Sequence, residues 1–350
     1  MASMYTNVMA LLDGHTQKKD SLAVEVASLR LENTFLRSTS PGLQHTWGPY
    51  TPPRPQNQPA LEWVVTKEML QETLRGHNAD IDESFALSKA SDFPSRERPH
   101  AQQIVSNRLF QDWIASPHST KLLVHWDGRL PRTIADLSPL SVFCISMSQM
   151  SRGHPHFIPL IWLCGLHLDP DESPVGGGSM LCSLIDQLLR RHENDLSSIT
   201  TTGAIDFNLL QAGDDKELLR LLYFLVLQIP DAIPLVLLID NVVLYEREEM
   251  DAFDALAGLL GMVSERLPAA VKLLFTSTPG TIEVRGAFED EGLILNVDTL
   301  PSLVWAPSDE RVAREWEDTV QESWPVYSEF SPSEYLLIVI ITLISFYFNI

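Results

Sequence analysis

The sequence predicts an α/β protein whose core is a parallel sheet of five strands with helices on both faces. Five short apolar runs recur between residues 101 and 300, and amphipathic helical patterns separate them. The most apolar run opens at Ile233-Pro234 and closes at Asp240, which fits a strand that is buried on both faces and delivers a carboxylate to the sheet edge. Strands that alternate with helices in this way form layered folds with right-handed crossovers.

The predicted elements follow one another in regular order. Strands are predicted over 121–126, 157–164, 235–239, 271–276 and 293–297. Helices are predicted over 102–114, 139–150, 214–229, 246–267 and 282–288. A further helix is predicted to begin with Ser179 as its N-cap, which makes Gly176-Gly177-Gly178 a flexible turn. Ahead of these elements we predict a short helix within 61–74 and a loop over 76–99.

The amino-terminal part divides into a helical segment and a linker. Residues 1–38 contain a heptad pattern of a short coiled coil, and its inner positions are Leu22, Val26, Leu29, Asn33 and Leu36. The stretch 22–36 either self-associates or lies as an amphipathic helix on its own domain, and both alternatives stay open. Residues 39–100 are Pro-rich at their start and are predicted to be a largely irregular linker.

The carboxy-terminal part changes composition twice. Residues 301–334 are acidic, with a predicted helix over 310–322, and 335–350 form a hydrophobic tail. As a helix the tail would reach roughly 24 Å, which is short of a bilayer core of about 30 Å. The tail therefore enters a membrane as an anchor, folds onto the core, or reflects an error at the end of the gene model, that is, in the predicted coding sequence.

Composition limits the classes of partner. The chain has 25 Lys and Arg against 46 Asp and Glu, which gives a net charge of -21 and repels nucleic acid. Cys144, Cys164 and Cys182 all lie in apolar segments, and no secretion signal opens the chain. These features favour a reducing, cytoplasmic location, with membrane attachment through the tail as the alternative.

Three segments of the sequence resemble those of a known protein family. The chain reads Leu122-Leu123-Val124-His125 at the first strand, Leu184-Ile185-Asp186-Gln187-Leu188-Leu189 in a central helix and Leu238-Ile239-Asp240 at the third strand. These segments, together with the order of the predicted strands and helices, resemble the core of a STAND-class P-loop ATPase of the NACHT kind, in the degenerate form common in filamentous fungi. The resemblance covers roughly residues 104–300 and implies a three-layer P-loop NTPase-like fold.

The resemblance also implies a nucleotide site. Asp240 matches the Walker B acid that binds Mg²⁺, and Ser277 or Thr278 matches the polar sensor after the fourth strand. The first loop departs from the family, because Gly128 is its one glycine before residue 133 and no Lys-Ser pair follows. Arg129, or Arg132 in the same loop, is the candidate replacement for the missing lysine charge.

The catalytic pattern is therefore incomplete. Asn241 stands where a second acid would polarise water, and an amide cannot act as a base. Phosphoryl transfer depends on a glycine-rich loop and its lysine, which position the phosphates and neutralise their charge. The first loop of this chain lacks both features, so most of what catalyses the reaction is missing. We expect a non-catalytic interaction or scaffold module without a cofactor. The alternative is a divergent switch or weak ATPase that binds Mg-ATP or Mg-GTP through Asp240, Ser277, Thr278, Gly128 and Arg129.

Two further readings bear on metals and on Asp240. His154, His156 and the acidic loop that begins at His167 lack the helical His spacing or Cys pairs of a zinc site, so we expect no metal there. Asp240 also has a purely structural reading, in which its carboxylate caps the next helix or holds a loop.

Overall fold

The computed structural model describes residues 65–90, 103–127, 137–154, 156–169, 171, 174–196, 199 and 205–300. The predictions for 1–38, for 301–334, for the tail at 335–350 and for Gly128 and Arg129 lie outside the described residues. Within the described residues, none of the helices combines the length and apolar character that a membrane crossing requires.

Five parallel strands form one sheet, as the sequence predicts. Their order across the sheet is β2-β3-β4-β1-β5, and every neighbouring pair is parallel. The strands are β1 (Thr120–His125), β2 (Ile158–Leu163), β3 (Leu235–Asp240), β4 (Val271–Ser277) and β5 (Ile294–Asn296). Each differs from its predicted range by no more than one residue at either end.

Helices flank the sheet. Those ahead of β1 are α1 (Lys67–Leu74), α2 (Ala79–Ser88) and α3 (Arg108–Ala115). Between β1 and β3 lie α4 (Pro139–Gly153), α5 (Gly176–Arg191), α6 (Phe207–Gln211) and α7 (Asp215–Val226). After β3 come α8 (Phe253–Ser264) and α9 (Glu283–Glu289).

Alternate strand residues pack into two separate cores, one on each face of the sheet. Leu123, Leu237 and Leu273 belong to a core that they share with buried residues of α5, α7, α8 and α9. Leu122, Leu238 and Leu274 belong to the opposite core, together with buried residues of α2, α3 and α4. Every residue of β3 and β4 is buried, which explains why β3 before Asp240 and the centre of β4 are continuous apolar runs rather than alternating ones.

The predicted loop over 76–99 is wrong where α2 occupies Ala79–Ser88. Asn78 caps this helix by accepting a hydrogen bond from the backbone N–H of Asp80. The buried positions of α2 are Ala79, Asp82, Glu83 and Ala86, which is regular helical spacing. Two of these four residues are acidic, so the helical face does not stand out as an apolar pattern.

The glycine run before Ser179 is also helical. Helix α5 begins at Gly176, so Ser179 lies inside its first turns and is not the N-cap. A Cβ at Gly177 would lie 2.9 Å from Cα of Ala252 and 2.9 Å from Cβ of Ala255. The glycine therefore permits a close approach of α5 to α8, and a flexible turn is not what it provides.

Two predicted helices are shorter in the structure. The range 246–267 contains a 3₁₀ turn at Glu248–Met250, then Asp251 with φ 44°, and only then α8. The range 102–114 is interrupted by Asn107, whose side chain accepts from the N–H of Leu109 and caps α3.

Candidate functional site

The carboxyl edge of the sheet is where folds of this topology commonly bind their ligands. The chain leaves β1 for the distant strand β2 through α4, whereas it leaves β4 for β5 through α9 on the opposite face. The crossovers from β1 and from β4 thus run in opposite directions from two adjacent strands. Open α/β sheets bind ligands at such a switch point, outside the carboxyl ends of the strands.

Asp240 lies at this edge and is fully buried. Ser141, in the first turn of α4, donates from its hydroxyl to Oδ2 of Asp240 at 2.6 Å. Thr276 of β4 donates from its hydroxyl to Oδ1 at 2.5 Å. Burial raises the pKa of Asp240 to about 6, although the hydrogen bonds from Ser141 and Thr276 oppose the shift. Both carboxylate oxygens are therefore engaged within the protein.

The side chains of His125 and Ser277 contact each other at the switch point between β1 and β4. Nδ1 of His125, the last residue of β1, lies 2.7 Å from the hydroxyl oxygen of Ser277. Nε2 of the same ring lies 2.9 Å from Oδ1 of Asp127, and Asn296 donates from Nδ2 to Oδ2 of Asp127 at 2.8 Å. The hydrogen bonds from His125 and Asn296 lower the pKa of Asp127. This chain of side chains links the ends of β4, β1 and β5.

Asn241 follows Asp240 in the left-handed conformation, with φ 55°. Its backbone N–H donates to the hydroxyl oxygen of Thr276 at 2.8 Å, and its side-chain oxygen accepts from the hydroxyl of Thr278 at 3.3 Å. Asparagine tolerates this backbone conformation better than most residues. The position that the resemblance assigns to a second acid is thus occupied by a turn residue bonded to β4.

The structure brings together three of the five predicted site residues. Asp240, Ser277 and Thr278 all lie at the carboxyl edge, but the residue of β4 that bonds Asp240 is Thr276. Sequence reasoning missed Ser141, Thr276 and His125. One signal was available for Ser141, because Ser138 and Ser141 form a capping box at the start of α4.

No family model matches this chain, and no curated protein matches it either. The resemblance to a STAND-class ATPase therefore rests on the residues and their order alone.

Proposed function

We propose that this chain is a P-loop NTPase-like module that no longer hydrolyses nucleotide and acts as an interaction scaffold. The observation that carries the proposal is the engagement of Asp240. An acid that serves Mg²⁺ needs an oxygen directed at the ion and the water around it. Asp240 instead gives one oxygen to Ser141 and the other to Thr276, with no exposed surface.

The occupation of the switch point supports the same proposal. Where a bound nucleotide would meet the ends of β1 and β4, His125 and Ser277 contact each other, and both are buried. A ligand that entered there would have to displace these polar contacts and satisfy each group that it separated. The network is therefore a structural replacement for a ligand, and it fixes the strand ends.

Self-association through 22–36 and membrane attachment through 335–350 belong to this proposal as its interaction elements. They rest on the heptad pattern and the apolar tail. The net charge of -21 directs the scaffold toward proteins rather than nucleic acid, in the cytoplasm or at its membrane surface.

The test is thermal unfolding of the full chain with and without Mg-ATP or Mg-GTP, together with an assay of phosphate release. We expect an unshifted midpoint and no phosphate release above background. The matched variant is Asp240→Asn, which keeps the shape of the side chain and removes its charge. A shift in the wild type that disappears in this variant would contradict the proposal.

That contrary result would favour a second candidate, a nucleotide-binding switch or weak ATPase of the same class. The contact that favours it joins Ser141, in the helix after β1, to Asp240 at the end of β3, because a hydroxyl and a carboxylate both offer oxygen ligands of the kind that Mg²⁺ prefers. The switch predicts a stabilisation of about 2.7 kcal/mol when nucleotide is present at about a hundred times its Kd.

A further inference from the structure

Two histidines and an aspartate that are far apart in the sequence meet beside the end of β2. His77 follows α1, Asp82 lies in the first turn of α2, and His167 follows the 3₁₀ turn after β2. Nε2 of His77 lies 2.8 Å from Oδ1 of Asp82, and Nε2 of His167 lies 2.9 Å from Oδ2. We propose that this cluster, His77-Asp82-His167, binds a divalent transition-metal ion of the zinc class.

The type of ligand selects the class of ion. Two imidazole nitrogens and one carboxylate oxygen suit zinc and its neighbours in the first transition row, whereas Mg²⁺ and Ca²⁺ prefer oxygen ligands throughout. The three candidate ligand atoms all lie within 4.8 Å of one another. An ion with bonds of about 2.0–2.2 Å brings its ligands to roughly 3.3 Å apart, so modest side-chain rotations complete the site.

The surroundings of His167 hold its ring in place. Trp162 of β2 stacks on the ring with centroids 3.8 Å apart and an interplanar angle of 14°. The hydroxyl of Tyr245 donates to the backbone carbonyl of His167 at 3.3 Å. The side chain of His167 is only 1% exposed. A ligand that is fixed in this way loses little conformational freedom when an ion binds.

His167 can change to the tautomer that metal binding requires. A histidine that binds a metal through Nε2 must carry its proton on Nδ1. Nδ1 of His167 is buried, and no group among the described residues forms a hydrogen bond with it. In the structure Nε2 therefore donates to Oδ2 of Asp82, and Nδ1, which has no partner among the described residues, can take the proton when an ion replaces it at Nε2.

The charges around the cluster leave Asp82 available to a cation. The other acids of the first turns of α2 are Asp80 and Glu83, and both form ion pairs with Arg152. Asp82 faces only the two histidines among its described ion-pair partners. The side chain of Asp82 is only 11% exposed, and a divalent ion would supply the positive charge that favours a buried carboxylate.

The burial of each ligand indicates the side from which an ion reaches the cluster. The side chain of His77 is 21% exposed, so an ion enters from that side and keeps a water there as its fourth ligand. Once bound, the ion joins α2 to the end of β2. The pattern of residues around His167 did not predict a metal, because its partners lie on elements that precede β1 in the chain.

The experiment titrates the full chain, stripped with a chelator, with Zn²⁺ by calorimetry and with Co²⁺ by visible absorption. We expect one equivalent of each ion to bind and the thermal midpoint to rise. His77→Gln and Asp82→Asn should each weaken binding by more than about 100-fold, which exceeds the loss caused by removing an outer partner of a metal ligand. His77 is partly exposed, so its variant folds even if a change at Asp82 does not.

Two controls separate this cluster from other metal-binding groups. His118→Gln replaces an exposed histidine, and Cys182→Ser removes a half-buried thiol. Both variants should bind like the wild type. The proposal is overturned if the wild type binds no ion, if His77→Gln or Asp82→Asn binds as tightly as the wild type, or if only Cys182→Ser abolishes binding. The cluster would then be a hydrogen-bonded bridge. None of these outcomes bears on nucleotide binding.

Discussion

Single buried ionisable residues hold the ends of the strands in place. Lys272, at the amino end of β4, is fully buried and donates from Nζ to the backbone carbonyls of Trp113, Ser116 and His118. Asp240, at the carboxyl end of β3, accepts from two hydroxyls in the same manner. Each charge is satisfied by fixed neighbours, so its effect on stability depends on protonation and on those neighbours.

The raised pKa of Asp240 predicts a particular dependence of stability on pH. Its pKa is about 6 in the folded chain against an ordinary 3.8, so the folded state binds more protons between these values. The stabilising contribution is fully present below about pH 4 and is lost as the pH rises through about 6. The difference between these two pKa values corresponds to about 3 kcal/mol of unfolding free energy.

Urea unfolding of the wild type and of Asp240→Asn at pH 4 and pH 7 measures this contribution. The difference in unfolding free energy between the two proteins should change by about 3 kcal/mol, because the amide does not titrate. Buried Cys144 and Cys164 lie near Asp240, but burial raises the pKa of both thiols far above this range. Parallel pH profiles for the two proteins would contradict the prediction.

At the scale of elements, the contact between α5 and α8 sets a limit on side-chain size. Gly177→Ala would place a methyl group 2.9 Å from Ala252 and Ala255 and 3.0 Å from Oδ2 of Asp215. We expect a loss of about 1–3 kcal/mol in unfolding free energy, because backbone and a short side chain cannot move aside. Chemical denaturation measures the loss.

Gly261→Ala is the matched control, since this glycine lies within α8 and its Cβ would meet nothing within 4 Å. Alanine is the better helix former, so this variant should gain up to about 1 kcal/mol. Equal effects of the two substitutions would show that helix propensity, and not the contact between α5 and α8, governs both positions.

The strands were predictable because a run of residues buried on both faces needs no knowledge of its partners. Helix α2 was not, because Asp82 and Glu83 on its buried face have partners on distant elements. The sequence pattern predicted that Asp240 lies at the end of β3, but it did not predict the hydrogen bond between Asp240 and Thr276. Thr276 contacts Asp240 of β3 and Ser277 contacts His125 of β1, and neither pairing could be predicted without the order of the strands in the sheet.

At the scale of the whole molecule, the segment Lys67–Ser88 is attached to the α/β domain by polar contacts as well as by packing. Gln71 donates to Oδ1 of Asp186 in α5 at 2.8 Å, and Ser183 donates to the carbonyl of His77 at 3.0 Å. On the other side, Glu83 forms an ion pair with Arg152 of α4. These contacts bind the segment to a helix on each face of the sheet.

Glu83→Gln tests whether the ion pair keeps this segment in place. The side chain of Glu83 is 4% exposed. The substitution removes its negative charge, and the half-buried Arg152 then keeps Ser148 and Asp80 as partners. We expect a loss of about 1–3 kcal/mol, because one partner of a buried, hydrogen-bonded charge pair is neutralised. Hydrogen exchange should become faster in 67–88 while β3 and β4 keep their protection, since those strands belong to the central sheet.

Asp112→Asn breaks the exposed ion pair with Arg108 and should leave hydrogen exchange unchanged. Faster exchange throughout the sheet in Glu83→Gln would instead show that the segment and the domain unfold as one cooperative unit.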